Sequence, residues 1–315
     1  LVLASTLSAA VRAAPSPIVI ATGPVAGFAY PLGGEICRLY EKQMPDDARC
    51  SVEATDGSVE NLKLLRNGNI AFAIVQSDVG ADALAATGAF AGAKPFVELR
   101  SVAGFYAQAL TILVKKDGAV KTVDDLKGKR IVVGEPGSPE PLFSDFLEGL
   151  GWSKGDLGGV IEMPRSDQIN ALCGGSVDAV ALTAPHPNGF VRQMIAACDA
   201  TILDLAGPAI DTVSAQHPGY GPARIDLSVY GGPSQIIESL GTRAVLITTT
   251  KAGDDQVRRF LAAVLGHVDD LKAAHPAFAG LDAGSVSSSA GLGADRHPAA
   301  AKYFSNDKTG DAGGG

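Results

Sequence analysis

Charge and aromatic residues are scarce in this chain. Only 19% of its 315 residues are Asp, Glu, Lys or Arg, and only 6% are aromatic. The formal net charge is -8 and no run of Lys and Arg occurs, which argues against a nucleic-acid partner. Outside the N-terminus, no stretch reaches the roughly 18 uninterrupted apolar residues of a membrane span. Several catalytic signatures are missing. There is no Walker A loop, no GxGxxG dinucleotide fingerprint, no GxSxG nucleophile elbow and no HExxH. The five histidines (186, 217, 267, 275 and 297) are scattered, and only His186 falls at a predicted strand end. Ser58 and Ser138 would be nucleophiles only beside a base, and none is visible near them in the sequence.

What is present is apolar and rich in turns. Hydrophobic residues make up 46%, Gly numbers 38, and the length suffices for two domains. Residues 1–14 read as the end of a signal peptide, a short apolar run followed by Ala13-Ala14 before Pro15. Export makes disulfides the expected state of the four cysteines. Three pairings are open, and four free thiols are the alternative. Cys37–Cys50 and Cys173–Cys198 are preferred, because each pair is expected to span one helix and the start of the strand after it. Their spacing is unlike a zinc framework.

Along the chain, strands and helices alternate, which argues for an α/β protein with parallel sheets. The stretch from Ile18 to Glu35 reads as a buried strand, a glycine-bearing turn and a helix starting near Pro31. The layout recurs at Asp56-Gly57-Ser58, Gln76-Ser77-Asp78, Gly137-Ser138 and Ala184-Pro185-His186. Ser58 and Asp78 are expected as helix N-caps, and Pro139 as the opening of a further helix. Residues 99–105 and 109–115 read as two strands with a break, 219–233 as irregular, and 243–250 as an alternating strand. Ligands of such sheets bind at the carboxyl ends of the strands. Two sheets facing across a crevice would bring all five turns together, with 111–115 and 244–250 as the crossings. Asp56 and Glu135 read as solvated turn residues. Glu140, just behind Ser138-Pro139, is the better ligand candidate.

These residues resemble a known family. Ala21-Thr22-Gly23-Pro24-Val25-Ala26-Gly27, Tyr30-Pro31-Leu32-Gly33-Gly34, Gly57-Ser58-Val59-Glu60-Asn61 and Val75-Gln76-Ser77-Asp78 carry the likeness. It continues through Leu126 to Arg130, Gly134 to Ser138, Val177-Asp178-Ala179, His186 to Gly189 and His275-Pro276. In number and order they look like the TAXI family, the extracytoplasmic solute-binding subunits of TRAP transporters. Pro24, Val25 and Phe28 stand where that family's first loop is richer in Gly and Thr, Asp56 where Gly is common, and Pro139 replaces the last glycine of Gly-Ser-Gly.

The resemblance implies a type II-like, two-lobed periplasmic binding protein, its cleft between two α/β domains joined by two hinge strands. The expected lobes are residues 17–108 with 244–305, and 109–243, after a residual signal at 1–16 and before a disordered tail at 306–315. It further implies capture of a small carboxylate-bearing solute such as glutamate, glutamine or a related dicarboxylate. No cofactor is expected, and the partners are TRAP membrane subunits of a monomeric, periplasmic protein. The expected ligand contacts are Thr22, Gly23, Gly27, Tyr30, Gly57, Ser58, Gln76, Ser77, Ser138, Glu140, Thr183 and His186. A sensor, or an enzyme using Ser138, Glu140 and His186, would share the scaffold.

Overall fold

The computed structural model describes residues 17–25, 27–45, 49–136 and 140–310. The predicted signal segment, Ser138 with Gly137 and Pro139, and residues 311–315 of the predicted tail lie outside these. The chain runs β1 (Ile18–Ala21), α1 (Ala29–Gln43), β2 (Cys50–Glu53), α2 (Ser58–Arg66), β3 (Phe72–Gln76), α3 (Ser77–Ala85) and the long β4 (Leu99–Lys115). Then come β5 (Arg130–Val133), α4 (Pro141–Gly149), β6 (Gly159–Ile161), α5 (Arg165–Cys173), β7 (Ala179–Ala184), α6 (Gly189–Cys198), β8 (Ala200–Ile202) and α7 (Pro208–Gln216). β9 (Gly221–Asp226) leads to the second long strand, β10 (Ile236–Thr249). Four helices close the chain: α8 (Asp254–Leu265), α9 (Val268–Ala274), α10 (Ala283–Ser287) and α11 (Pro298–Gly310). The backbone is thus helical through 306–310, where a disordered tail was expected.

Apolar runs form the strands because both of their faces are covered. Phe72 and Ile74 of β3 enter one core, while Ala73 and Val75 enter another on the opposite face. In the second half, Ile131 and Val133 of β5 face one core and Val132 the other. Helices bury one stripe each. On α8 it is Val257, Phe260, Leu261 and Val264, spaced at i, i+3, i+4 and i+7.

The two facing sheets of the sequence reading are in fact one. Its order is β2-β1-β3-β10-β4-β7-β5-β6, with β8 added on β4 and β9 on β10. Each end is parallel, whereas the centre, β3–β10–β4–β7, is antiparallel. The sheet curls into a two-lobed, type II periplasmic-binding-like fold. β4 and β10 run through both halves. β4 is continuous across the predicted break, pairing with β10 over 99–109 and with β7 over 109–114. β10 pairs with β9 over 236–241 and with β3 over 244–247. The crossover therefore lies near Ala109 and Gly241, to one side of both predicted crossings.

Both preferred disulfides form. Cys37 of α1 joins Cys50 at the start of β2, with Cα atoms 5.1 Å apart. Cys173 joins Cys198 at 4.7 Å, clamping the C-terminal ends of α5 and α6 rather than a helix and a strand. A crosslink closing a loop of this size stabilises by about 3 kcal/mol, mainly by restricting the unfolded chain. Replacing both Cys173 and Cys198 by Ser should lower the unfolding free energy by about that amount in urea titrations. A loss below about 1 kcal/mol would mean that packing of α5 on α6 already fixes their ends.

Candidate functional site

The first wall of the site is assembled around a buried amide. Asn61 of α2 is fully buried, and its Nδ2 donates to Thr22 O at 2.6 Å and to Ile74 O at 2.8 Å. Thr55 Oγ1 donates to Asn61 Oδ1 at 2.6 Å and accepts the Gly57 N–H at 3.1 Å. Thr22 in turn donates from its N–H (3.0 Å) and its hydroxyl (2.8 Å) to Glu53 O. Ser58 Oγ accepts the Gln76 N–H at 2.9 Å. Three βα turns, after β1, β2 and β3, are thereby stitched into one surface.

Capping differs from the sequence reading. Gly57 is the N-cap of α2, at φ +109°, a conformation open to glycine, and Ser58 is the first helical residue. No side chain caps the helix because the serine hydroxyl is spent on β3. The N–H groups of Ser58, Val59 and Glu60 find no acceptor among the described residues. Similarly Gln76, not Asp78, caps α3; Pro31 is the third residue of α1; and Pro141, not Pro139, opens α4.

This surface encloses a cavity of about 340 Å³. Of the predicted contacts, Thr22, Gly23, Gly27, Gly57, Ser58 and Gln76 line it. Phe28, Tyr106 and Gln108 join them unannounced. The side-chain amides of Gln76 and Gln108 make no hydrogen bond among the described residues, and the one charged group on the wall, Asp56, is exposed. Tyr30 sits half-buried in the first turn of α1, off the wall. Ser77 is also off it. It is fully buried, its hydroxyl donating to Gly219 O at 2.5 Å and accepting the Arg243 N–H at 2.9 Å. The adjacent Asp78 has its carboxyl pushed up by burial, against the pull of the Val79 N–H and its own.

A second cavity, of about 530 Å³, opens on the other side of Tyr106, which lines both. Tyr106 is held there by aromatic neighbours: Phe28 at 6.0 Å and Phe278 at 5.6 Å, with His275 at 5.3 Å from Phe28. His186 lines this larger chamber. Its ring is fully engaged. Thr111 Oγ1 gives its proton to Ala109 O and so accepts from Nε2, which leaves Nδ1 of the neutral ring to accept at 2.5 Å from Tyr230 Oη, itself the acceptor of the Asn188 N–H at 2.8 Å. Nε2 then carries the proton and donates to Thr111 Oγ1 at 2.9 Å, which donates to Ala109 O at 3.0 Å. Burial pushes the His186 pKa down to about 4, so the ring is neutral.

Glu140 and Thr183 meet each other rather than either cavity. Burial pushes the Glu140 carboxyl up, opposed by the Thr183 hydroxyl and N–H and by Arg165. The buried Thr183 hydroxyl makes no bond at hydrogen-bonding distance and acts as a neighbouring dipole. Glu135 is paired with Arg165 at 3.1 Å on the surface, the solvated role expected of it. Among the described residues, no group of three His, Cys, Asp or Glu could hold a metal, and no helix is long and apolar enough to cross a membrane.

Asn61→Ala strands three buried partners and should cost roughly 3 kcal/mol or more in urea unfolding, against under 1 for a replaceable bond. His186 generates a pH signature. Its ring titrates near 6.5 when unfolded and near 4 when folded, so the unfolded state binds more protons in between. The stability it contributes is complete above pH 6.5 and declines as pH falls toward 4. The span is on the order of 2 kcal/mol after allowance for partial exposure. The stability gap between wild type and His186→Gln should therefore be wider at pH 7 than near pH 4.5. A gap independent of pH would show that the ring is not held neutral.

The likeness to solved structures is one of fold. The chain is similar to a TctC solute-binding protein from Polaromonas, at 18% identity over 79% of this chain and 83% of that one, with a TM-score of 0.55. It is also similar to a putative sulfonate ABC transporter protein, the periplasmic sulfonate-binding protein SsuA from Methylobacillus flagellatus KT. There the identity is 15% over 82% and 69%, with a TM-score of 0.50. In sequence, the model of the NMT1-like family matches residues 20–307. Nearly every described element falls inside that match, and the chain belongs to the NMT1-like family.

Proposed function

We propose that this protein captures a small carboxylate-bearing solute between its lobes in the periplasm and delivers it to membrane transporter subunits. The observation that carries the reading is the smaller cavity. It adjoins the N-terminus of α2, whose first three N–H groups have no acceptor among the described residues. No Lys or Arg lines it, so the helix terminus would hold a carboxylate through backbone donors and the positive end of the dipole. The free amides of Gln76 and Gln108 would read polar groups on the solute, and the Tyr106 ring would cover its apolar part. Closure about β4 and β10 would be stabilised by contacts made only when both lobes touch the ligand.

The chain acts as a binder and not an enzyme. The hydroxyl at His186 Nε2, that of Thr111, is fully buried and donates to Ala109 O, so it is not presented to a cavity as a nucleophile. The ordered series of motifs resembling TAXI subunits supports TRAP membrane subunits as the recipients. The solute-binding proteins of like fold support periplasmic capture.

A thermal-shift screen against amino acids, dicarboxylates and 2-oxoacids tests the reading. At about 100 times its dissociation constant, a ligand adds roughly 2.7 kcal/mol of stability. One chemical class should raise the melting temperature, and Gln76→Ala with Gln108→Ala should abolish the rise while leaving the unliganded transition in place. A flat screen of protein shown ligand-free by mass spectrometry would overturn the proposal. So would an undiminished rise in the double variant.

A further inference from the structure

A third cavity, of about 390 Å³, lies at the other end of the first lobe's strands from the smaller cavity. It opens where α2 ends, β3 begins and β10 runs out before α8. Gln76, at the carboxyl end of β3, lines the smaller cavity, whereas Ala71, just before β3, lines this one. α2 spans nine residues, about 13 Å, so the two cavities sit at opposite ends of one helix. Two cations line the third cavity: Arg66, in the last turn of α2, and Lys251, just beyond β10.

Neither charge is answered. Arg38, Arg130, Arg165 and Arg259 each pair with a carboxylate, whereas Arg66 and Lys251 form no ion pair among the described residues. The Arg66 Cζ lies 4.7 Å from the centre of the buried Phe96 ring, which holds the guanidinium in place. Its Nη2 is buried and has no hydrogen-bond partner among the described residues. A cation in the last turn complements the helix dipole. The turn nevertheless supplies no bond to the guanidinium: the carbonyls of Lys63, Leu65 and Leu64 take the N–H groups of Asn67, Gly68 and Asn69. The Lys251 N–H donates to Thr249 Oγ1 at 3.3 Å, which sets its exposed side chain at the rim. Glu98, the single carboxylate on the wall, is exposed and pairs with neither cation. A buried charged donor without an acceptor is costly, so an acceptor entering this cavity would be held there.

We propose that this cavity is a second binding site, in which Arg66 and Lys251 hold a phosphate or sulfate group, free or borne by a small molecule. The guanidinium fork would take two oxygens, and Lys251 would reach a third from the rim. A tetrahedral group offers oxygens to donors arriving from two segments, where a planar carboxylate offers one edge. The cavity exceeds what an oxyanion alone fills, and Leu65, Ile70 and Ala252 would cover an organic body. The site shares no residue with the smaller cavity and does not depend on the solute-capture reading.

Isothermal titration calorimetry on the full chain tests it at fixed ionic strength, with inorganic phosphate, sulfate and glycerol 3-phosphate as probes in a chloride background. At least one probe should bind, one per chain. Arg66→Gln and Lys251→Glu should each weaken it by about tenfold or more, and Glu98→Gln should tighten it. Lys251 is exposed, so its reversal tests the site even if Arg66→Gln fails to fold. Tighter binding of glycerol 3-phosphate than of inorganic phosphate would support an organic ligand, and equal affinities a free oxyanion. No binding by any probe would overturn the inference, as would binding undiminished in either variant. Binding that survives Lys251→Glu but vanishes in Gln76→Ala with Gln108→Ala would put the anion in the smaller cavity, overturning this inference and sparing the capture reading. A flat solute screen would overturn the capture reading and leave this one standing.

Discussion

The Asn61 amide is the constraint on which the first lobe's binding wall depends. Beyond Ala21 and Ala73 the β1–β3 ladder runs out, leaving Thr22 O and Ile74 O in need of donors on that side. One side chain from α2 supplies both, and Thr55 fills its remaining acceptor. A buried polar group left unpaired costs about 1–3 kcal/mol, so the three bonds are mutually enforcing. They set the height of α2 over the sheet, which decides where its unpaired N–H groups lie. The position of the wall is consequently fixed by buried hydrogen bonds and not by the surface loops.

Where β4 and β10 change partners, the sheet is built from small residues. At the crossover, Gly221, Gly241, Ala109 and Ala184 stand in one row across β9, β10, β4 and β7. No large side chain interlocks there. A register shift in the β4–β10 pairing lies just beyond, between Arg243 and Val245. Ser77 pins the sheet beside it, because it ties the start of α3 to Gly219 and to the Arg243 backbone.

Much of this was legible in the sequence, for identifiable reasons. Strands buried on both faces, such as β1, β3 and β5, read as uninterrupted apolar runs. The strand–turn–helix units announced the wall built from Thr22, Gly57, Ser58 and Gln76. β4 read as broken because Gln108 interrupts an apolar run, yet that residue faces the cleft and needs no apolar neighbour. A polar side chain inside a long apolar strand was the available signal for Gln108, and with it Tyr106. β9 was missed because its alternation, buried at Gly221, Ala223 and Ile225, opens on Gly-Pro. Caps failed where residue type was right and use was different. Ser58 has the chemistry of a cap, but its hydroxyl serves Gln76. Nor could a sequence show that Ser77 and His186 spend their polar atoms within the protein, since Gly219 and Tyr230 are distant in the chain.

His186 and Arg243, which line the same chamber, differ in electrostatics. In the second lobe, the chain Asn188–Tyr230–His186–Thr111–Ala109 runs in one donor direction and ends on a backbone carbonyl. Burial keeps the imidazole neutral across the physiological range, so the His186 wall of the larger chamber presents a fixed dipole and not a titrating charge. Arg243 is a permanent charge on the seam itself, desolvated and lacking a carboxylate. Its field is therefore weakly screened and unopposed from the facing wall. Its side chain also binds the segment 285–290, while its N–H is held by Ser77. Side chain and backbone of Arg243 thus tie three segments together at this point of the sheet: 285–290, β4 through Phe105 O, and the start of α3 through Ser77.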